Sequence, residues 1–195
     1  MKKLLSVLSG LIFMISTSVF AEEKLTIEKQ LVGIVGAISG TVKTETRELK
    51  AGDKIYLNET IVAGAGSGTQ ILLLDQSTFT IGEDSEVVMD TFIFDPATND
   101  GKIVASVKQG SLKVISGLIS KKNPDNLEVK VPAGTLGARG TEFVVLSESN
   151  NESTVVLLGP GPNNTLGMIP GSLQISDGTN MVNITNPGYQ AMIGN

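Results

Sequence analysis

Between Gly36 and Asp95, turn-forming residues return every eight to ten positions. Gly52-Asp53, Gly64 to Gly68, Asp75-Gln76-Ser77 and Gly82 to Ser85 separate short apolar runs at Ile61–Ala63, Thr69–Leu74, Thr78–Ile81 and Val87–Met89. Thr78-Phe79-Thr80-Ile81 alternates with the two-residue period of a half-buried strand. Turns at this spacing belong to a sandwich, a barrel or a stack of short strands. The expected fold is therefore all-β: a solenoid-like, β-roll stack of short strands in a single domain, with a β-sandwich as the alternative.

The rest of the chain fits that class. Leu49 to Ile55 reads as a strand broken by the Gly-Asp turn, and Asp95 to Gly101 as a longer polar loop. Ile103–Val107 and Ser111–Ile115 read as two strands about Gln109-Gly110, followed by Leu127–Val131. Two short helices have a place, one within Glu22–Leu31, which also reads as a strand, and one at Ser116–Lys122, stopped by Asn123-Pro124-Asp125. Gly110-Ser111-Leu112 is echoed by Gly171-Ser172-Leu173, each a turn running into a strand. No linker divides the chain.

The first residues point to export. Met1-Lys2-Lys3 is a short basic segment, Leu4 to Phe20 is uncharged and mostly apolar, and Val19-Phe20-Ala21 suits a cleavage site. The expectation is a signal peptide over 1–21, cut after Ala21, with no retained membrane span and a periplasmic or secreted product. Residues 22–195 then carry 13 basic and 20 acidic side chains, a net charge of −7. That balance argues against nucleic acid or an anionic membrane as the main partner.

Histidine and cysteine are absent. Neither a Ser-His nor a Cys-His nucleophile system can be assembled, and zinc and redox metals lose their usual ligands. Glu83, Asp84 and Glu86 cluster, but acids favour turns in any case. Asp95, Asn99 and Asp100 before Gly101 are oxygen-rich enough to raise calcium, without EF-hand spacing. The expectation is a protein that is not an enzyme, with no catalytic residues, no cofactor and no resident metal.

The densest motif is Val131-Pro132-Ala133-Gly134-Thr135-Leu136-Gly137-Ala138-Arg139-Gly140-Thr141-Glu142-Phe143. A phosphate loop requires a helix after it, and here strand alternation follows at once. The stretch reads as a tight bend between strands, with Gly140 at positive φ. Arg139, one of two arginines in the chain, is expected to clamp the bend through turn carbonyls or Glu142. The competing role is to meet a partner's carboxylate, so Arg139 and Glu142 are the candidate binding residues. Gly137, Arg139, Gly140, Thr141 and Phe143 form the structural motif.

That segment resembles the signature of the FecR domain, with Val131 in place of the usual threonine. Val35-Gly36 with Gly40-Thr41-Val42, Leu49 with Gly52-Asp53, Leu74-Asp75-Gln76-Ser77 to Ile81, and Gly110-Ser111-Leu112 resemble its other segments in the same order. Gln76 replaces a usual glycine. The resemblance covers about Val35 to Leu146, and Pro187-Gly188-Tyr189-Gln190 resembles a turn that trails such domains. It implies residues 22–34 as a lead-in, 35–146 as the FecR-like β domain and 147–195 as a β extension packed on it. It further implies a periplasmic, signalling-related role with an envelope protein, such as an outer-membrane receptor, as partner. No anti-sigma segment or membrane helix of the regulators is legible here, so direct sigma-factor control is not implied. A cell-wall polymer is the alternative partner.

Overall fold

The structure is a computed structural model that describes residues 29–148 and 151–194. The expected signal peptide, and the lead-in up to residue 28, lie outside the described residues.

Fifteen strands among the described residues join into one continuous, unclosed sheet that folds into two layers. The first layer runs, in spatial order, β3 (Lys54–Tyr56), β1 (Leu31–Ser39), β5 (Gly68–Leu73), β6 (Thr78–Ile81), the second half of β8 (Asp100–Ile115), β11 (Glu142–Ser147), β12 (Ser153–Gly159) and β15 (Gln190–Ile193). The second runs β2 (Val42–Lys43), β4 (Thr60–Ala63), β7 (Ser85–Asp95), the first half of β8, β9 (Leu127–Val131), β10 (Gly134–Arg139), β13 (Ser172–Ser176) and β14 (Met181–Ile184). The chain swings between the layers and advances along both, so spatial order follows chain order except where β1 lies between β3 and β5. Every pairing is antiparallel but β8 with β9. A short helix, α1 (Leu118–Lys122), and one 3₁₀ turn (Pro124–Asn126) link β8 to β9.

Each layer buries the face its alternation predicts. Val87 and Met89 on β7, Leu112 and Val114 on β8, and Phe143 and Val145 on β11 are all buried. They belong to a single hydrophobic cluster running from Val32 to Ile193. The fully buried rings of Phe79 and Phe143, from neighbouring strands of β8, each contribute on the order of 1.5–3 kcal/mol over exposure. Among the described residues no buried side-chain nitrogen or oxygen lacks a hydrogen-bond partner.

Three local expectations are corrected. The two strands about Gln109-Gly110 are one strand, which passes from the second layer to the first at Gly110 (φ +81°). A Cβ there would lie 2.5 Å from Ser85 Cα, so only glycine lets β8 cross so close to the start of β7. The polar stretch Asp95–Gly101 is a hairpin turn, not a long loop. Strands β7 and β8 stay paired out to Asp95 and Asp100, because the Asp95 carboxylate accepts from Ala97 N–H and Thr98 Oγ1, both at 2.9 Å. Finally, the glycine-rich stretch read as a bend is a strand from Gly134 to Arg139. Leu136 and Ala138 face the core while Thr135, Gly137 and Arg139 face out. The glycines masked that alternation, and the bend is confined to Gly140-Thr141.

Candidate functional site

At Gly140 (φ +50°) the chain leaves β10 in the second layer and enters β11 in the first. Two buried serines hold this crossing. Ser116 Oγ donates to Thr141 O (2.6 Å) and accepts from Thr141 N–H (2.9 Å). Ser120 Oγ donates to Ala138 O (2.6 Å) and accepts from Gly140 N–H (3.1 Å). Thr141 Oγ1 donates to Gly159 O at 2.8 Å, tying the corner to the end of β12. Phe143, the next inward residue, is fully buried.

The serines are in turn positioned by the Asp75-Gln76-Ser77 turn. Buried Asp75 accepts from Ser77 N–H (3.0 Å) and Ser77 Oγ (2.8 Å), and more weakly from Ile119 N–H (3.4 Å). Its carbonyl accepts from Leu118 N–H at 2.8 Å, and Ser77 Oγ accepts from Gly117 N–H at 2.9 Å. The first turn of α1 is therefore satisfied by this pair, since its own cap residue is a glycine without a side-chain acceptor. Two distant sequence motifs meet through a five-residue helix.

The clamp expected of Arg139 is thus supplied by hydroxyls. Arg139 is exposed, facing out from the last position of β10. Among the described residues its side chain has no ion pair or hydrogen bond. Glu142, the partner suggested for it, pairs with Lys113 at 2.6 Å on the neighbouring strand β8. The other arginine shows the contrast. Arg47 holds buried Glu59 through two contacts of 2.6 and 3.1 Å and donates to Lys54 O at 2.6 Å. Hydrogen bonding to Glu59 makes Arg47 more basic than usual.

Arg139 stands at the lip between two adjoining clefts. One, of about 290 Å³, is lined by Lys121, Gly140, Pro160, Met168 and Ile169. The other, of about 370 Å³, opens over the outer face of the second layer, among Asp125, Gly137, Ser172, Gln174 and Asn183. Gly137 lines it, and a Cβ there would meet only Gln174 Cβ, at 4.0 Å. Lys121 also lacks an ion-pair partner among the described residues, whereas Lys122 is engaged by Asp100 at 2.8 Å and Thr98 O at 2.8 Å. An apolar wall carrying two unpaired cations suits an anionic group attached to an apolar one. Sequence reasoning missed Ser116, Ser120 and Asp75 as determinants of the site, and missed Lys121, Met168 and Ile169 as its walls.

The other acidic candidates serve the loops. Glu83 Oε2 accepts from Gly66 N–H at 2.9 Å, and Asp84 sits at a turn with φ +49°. Asp100 is paired to Lys122, and no group of three or more acidic side chains among the described residues is arranged to hold a metal ion.

Fold and corner together define an all-β, two-layered scaffold that presents a solvent-facing cation beside a cleft. The chain belongs to the FecR protein family, which it matches over residues 59–159. That range includes the Asp75-Ser77 turn, the β8 crossing and the Arg139-Gly140-Thr141 corner. The fold is similar to a crystal structure at 1.65 Å described as a "putative anti-sigma factor" from Parabacteroides distasonis ATCC 8503, with 11% identity and a TM-score of 0.51. The match covers 69% of this chain and 54% of that one, so this chain spans about half the length of the protein it matches. A second crystal structure so described, at 2.50 Å, gives 10% identity and a TM-score of 0.49 over the same shares. No curated protein matches the chain.

Proposed function

We propose that the chain is a non-enzymatic, exported FecR-family interaction module that receives an acidic segment of an envelope protein in the cleft beside Arg139. The observation that carries this reading is the unpaired guanidinium. The protein uses one arginine fully in its own structure and leaves the other, in the family's most distinctive motif, facing solvent at the end of β10. A carboxylate arriving there finds a fork of donors with no internal partner to give up, with Lys121 to add charge and Met168 and Ile169 to cover apolar neighbours. In this reading residues 1–21 direct export to the periplasm, 35–146 form the FecR-like domain, and 147–195 extend its two layers.

In this reading the module has a signalling-related role, which membership of the FecR family supports. The chemistry of the site, cations beside an apolar wall, supports binding. A cell-wall polymer is the second reading, favoured by the polar outer cleft, where Gln174, Asn183 and Ser172 present hydrogen-bonding groups around the bare Gly137.

The test is a cross-linked pull-down with residues 22–195 against outer-membrane and periplasmic extracts, with peptidoglycan as a parallel bait. A defined protein captured by the native chain and by Arg139→Lys more than by Arg139→Ala supports the proposal. Retention on peptidoglycan alone, unchanged by Arg139→Ala, favours the polymer.

A further inference from the structure

The two ends of the double layer are finished differently. At the end formed by β2 and β3, the core-facing residues Val42 and Ile55 are fully buried. Residues 44–53 fold over that end and place Leu49 in the core. The open edge of β2 is bridged by Glu48 and Leu49, and the Lys54 carbonyl on β3 is taken by Arg47. Lysine stands on both strands, a common guard against edge pairing.

At the other end, formed by β14 and β15, none of this is present among the described residues. Among the described residues neither strand has a partner on its outer side. Val182 lies opposite Ile175 and so faces the core, yet it is 52% exposed. Tyr189, which by alternation with Ala191 faces inward from the first layer, is 63% exposed. Met181 and Met192 add exposed apolar surface beside them. From residue 178 to residue 195 there is no charged side chain, in a chain with a net charge of −5.

We infer that this open end is a self-association surface, joining two copies of the chain tail to tail. An uncharged edge meets an identical edge without the repulsion that the rest of an acidic surface would impose. Antiparallel pairing of like edges about a two-fold axis satisfies the outer backbone groups of β14 and β15 and covers Val182 and Tyr189. A head-to-tail chain would need this end to seat on the lysine-guarded one, so association closes at two. The edge adjoins the cleft beside Arg139 at Asn183, but the inferred self-association makes no use of Arg139.

The test is sedimentation equilibrium of residues 22–195 from about 1 to about 200 µM, a span wide enough for mass action to separate monomer from dimer. The expected result is a rise that levels at twice the monomer mass. Val182→Lys or Met192→Lys should shift the midpoint at least tenfold upward, while Ile93→Lys, at an exposed position of β7, leaves it in place. Amide exchange of 181–184 and 190–193 should slow as concentration rises in the native chain. A monomer throughout, a mass that climbs past two without levelling, or a dimer indifferent to both edge lysines would overturn the inference.

Discussion

Ser120 holds two backbone groups with one hydroxyl, accepting from Gly140 N–H and donating to Ala138 O. It is fully buried, so Ser120→Ala leaves Ala138 O unpaired away from water and removes the partner of Gly140 N–H at the cleft wall. The expected loss is about 1–3 kcal/mol in denaturant unfolding, the cost of a buried unsatisfied polar group. Arg139→Ala removes an exposed side chain with no internal partner and should change stability by no more than about 0.5 kcal/mol. The pair separates support from the proposed recognition: Ser120→Ala should lower stability, whereas Arg139→Ala should lower only capture of the proposed partner. A large fall in stability for Arg139→Ala would restore the clamp role. Gly140→Val forces a β-branched side chain to φ +50° and should cost about 1–3 kcal/mol in a thermal or denaturant melt, although a Cβ would meet nothing within 4 Å.

At the scale of elements, α1 is too short to persist alone. It is held by the Asp75-Ser77 turn at one end and by Ser120 against β10 at its middle. Asp75→Ala should therefore loosen α1 and weaken partner capture without touching Arg139 or Lys121, read as faster amide exchange at 117–119. The β13–β14 hairpin supplies a pH test. N–H groups of Asn180, followed by the Asn180 side chain and Thr179 N–H, pull the Asp177 carboxyl from 3.8 to about 2. A folded pKa below the unfolded one means that the turn's contribution is complete above about pH 4 and is lost as pH falls through 2. Amides of β13 and β14 should exchange faster than the acid-catalysed trend predicts below pH 4, and Asp177→Asn should abolish that extra dependence.

Across the whole molecule, a single buried cluster and a strand shared by both layers tie the two halves together. The native chain should unfold in one cooperative transition, with calorimetric and van't Hoff enthalpies in agreement at a fixed protein concentration. Gly110→Val, at the crossing of β8, should lower that transition as a unit instead of splitting it. Two separate transitions would show that the layers fold independently.

The sequence by itself determined what depends on near neighbours. Turn residues set the strand spacing, Thr78 to Ile81 showed its buried face, Gly140 marked a positive-φ bend, and Asn123-Pro124 ended the helical turn. These follow from local sterics and a two-residue period. The R-G-T-x-F motif also carried the family. Only the tertiary structure decided that β8 is one strand in two layers, that Gly134 to Arg139 is a strand, and that Arg139 has no partner among the described residues. The reason is separation along the chain. Ser120 meets Ala138 across 18 residues, Ser116 meets Thr141 across 25, and Asp75 meets Ile119 across 44. A serine's choice between a local turn and a distant carbonyl carries no local signature, because either satisfies the same hydroxyl. Once those hydroxyls held the corner, the guanidinium beside it had nothing left to clamp.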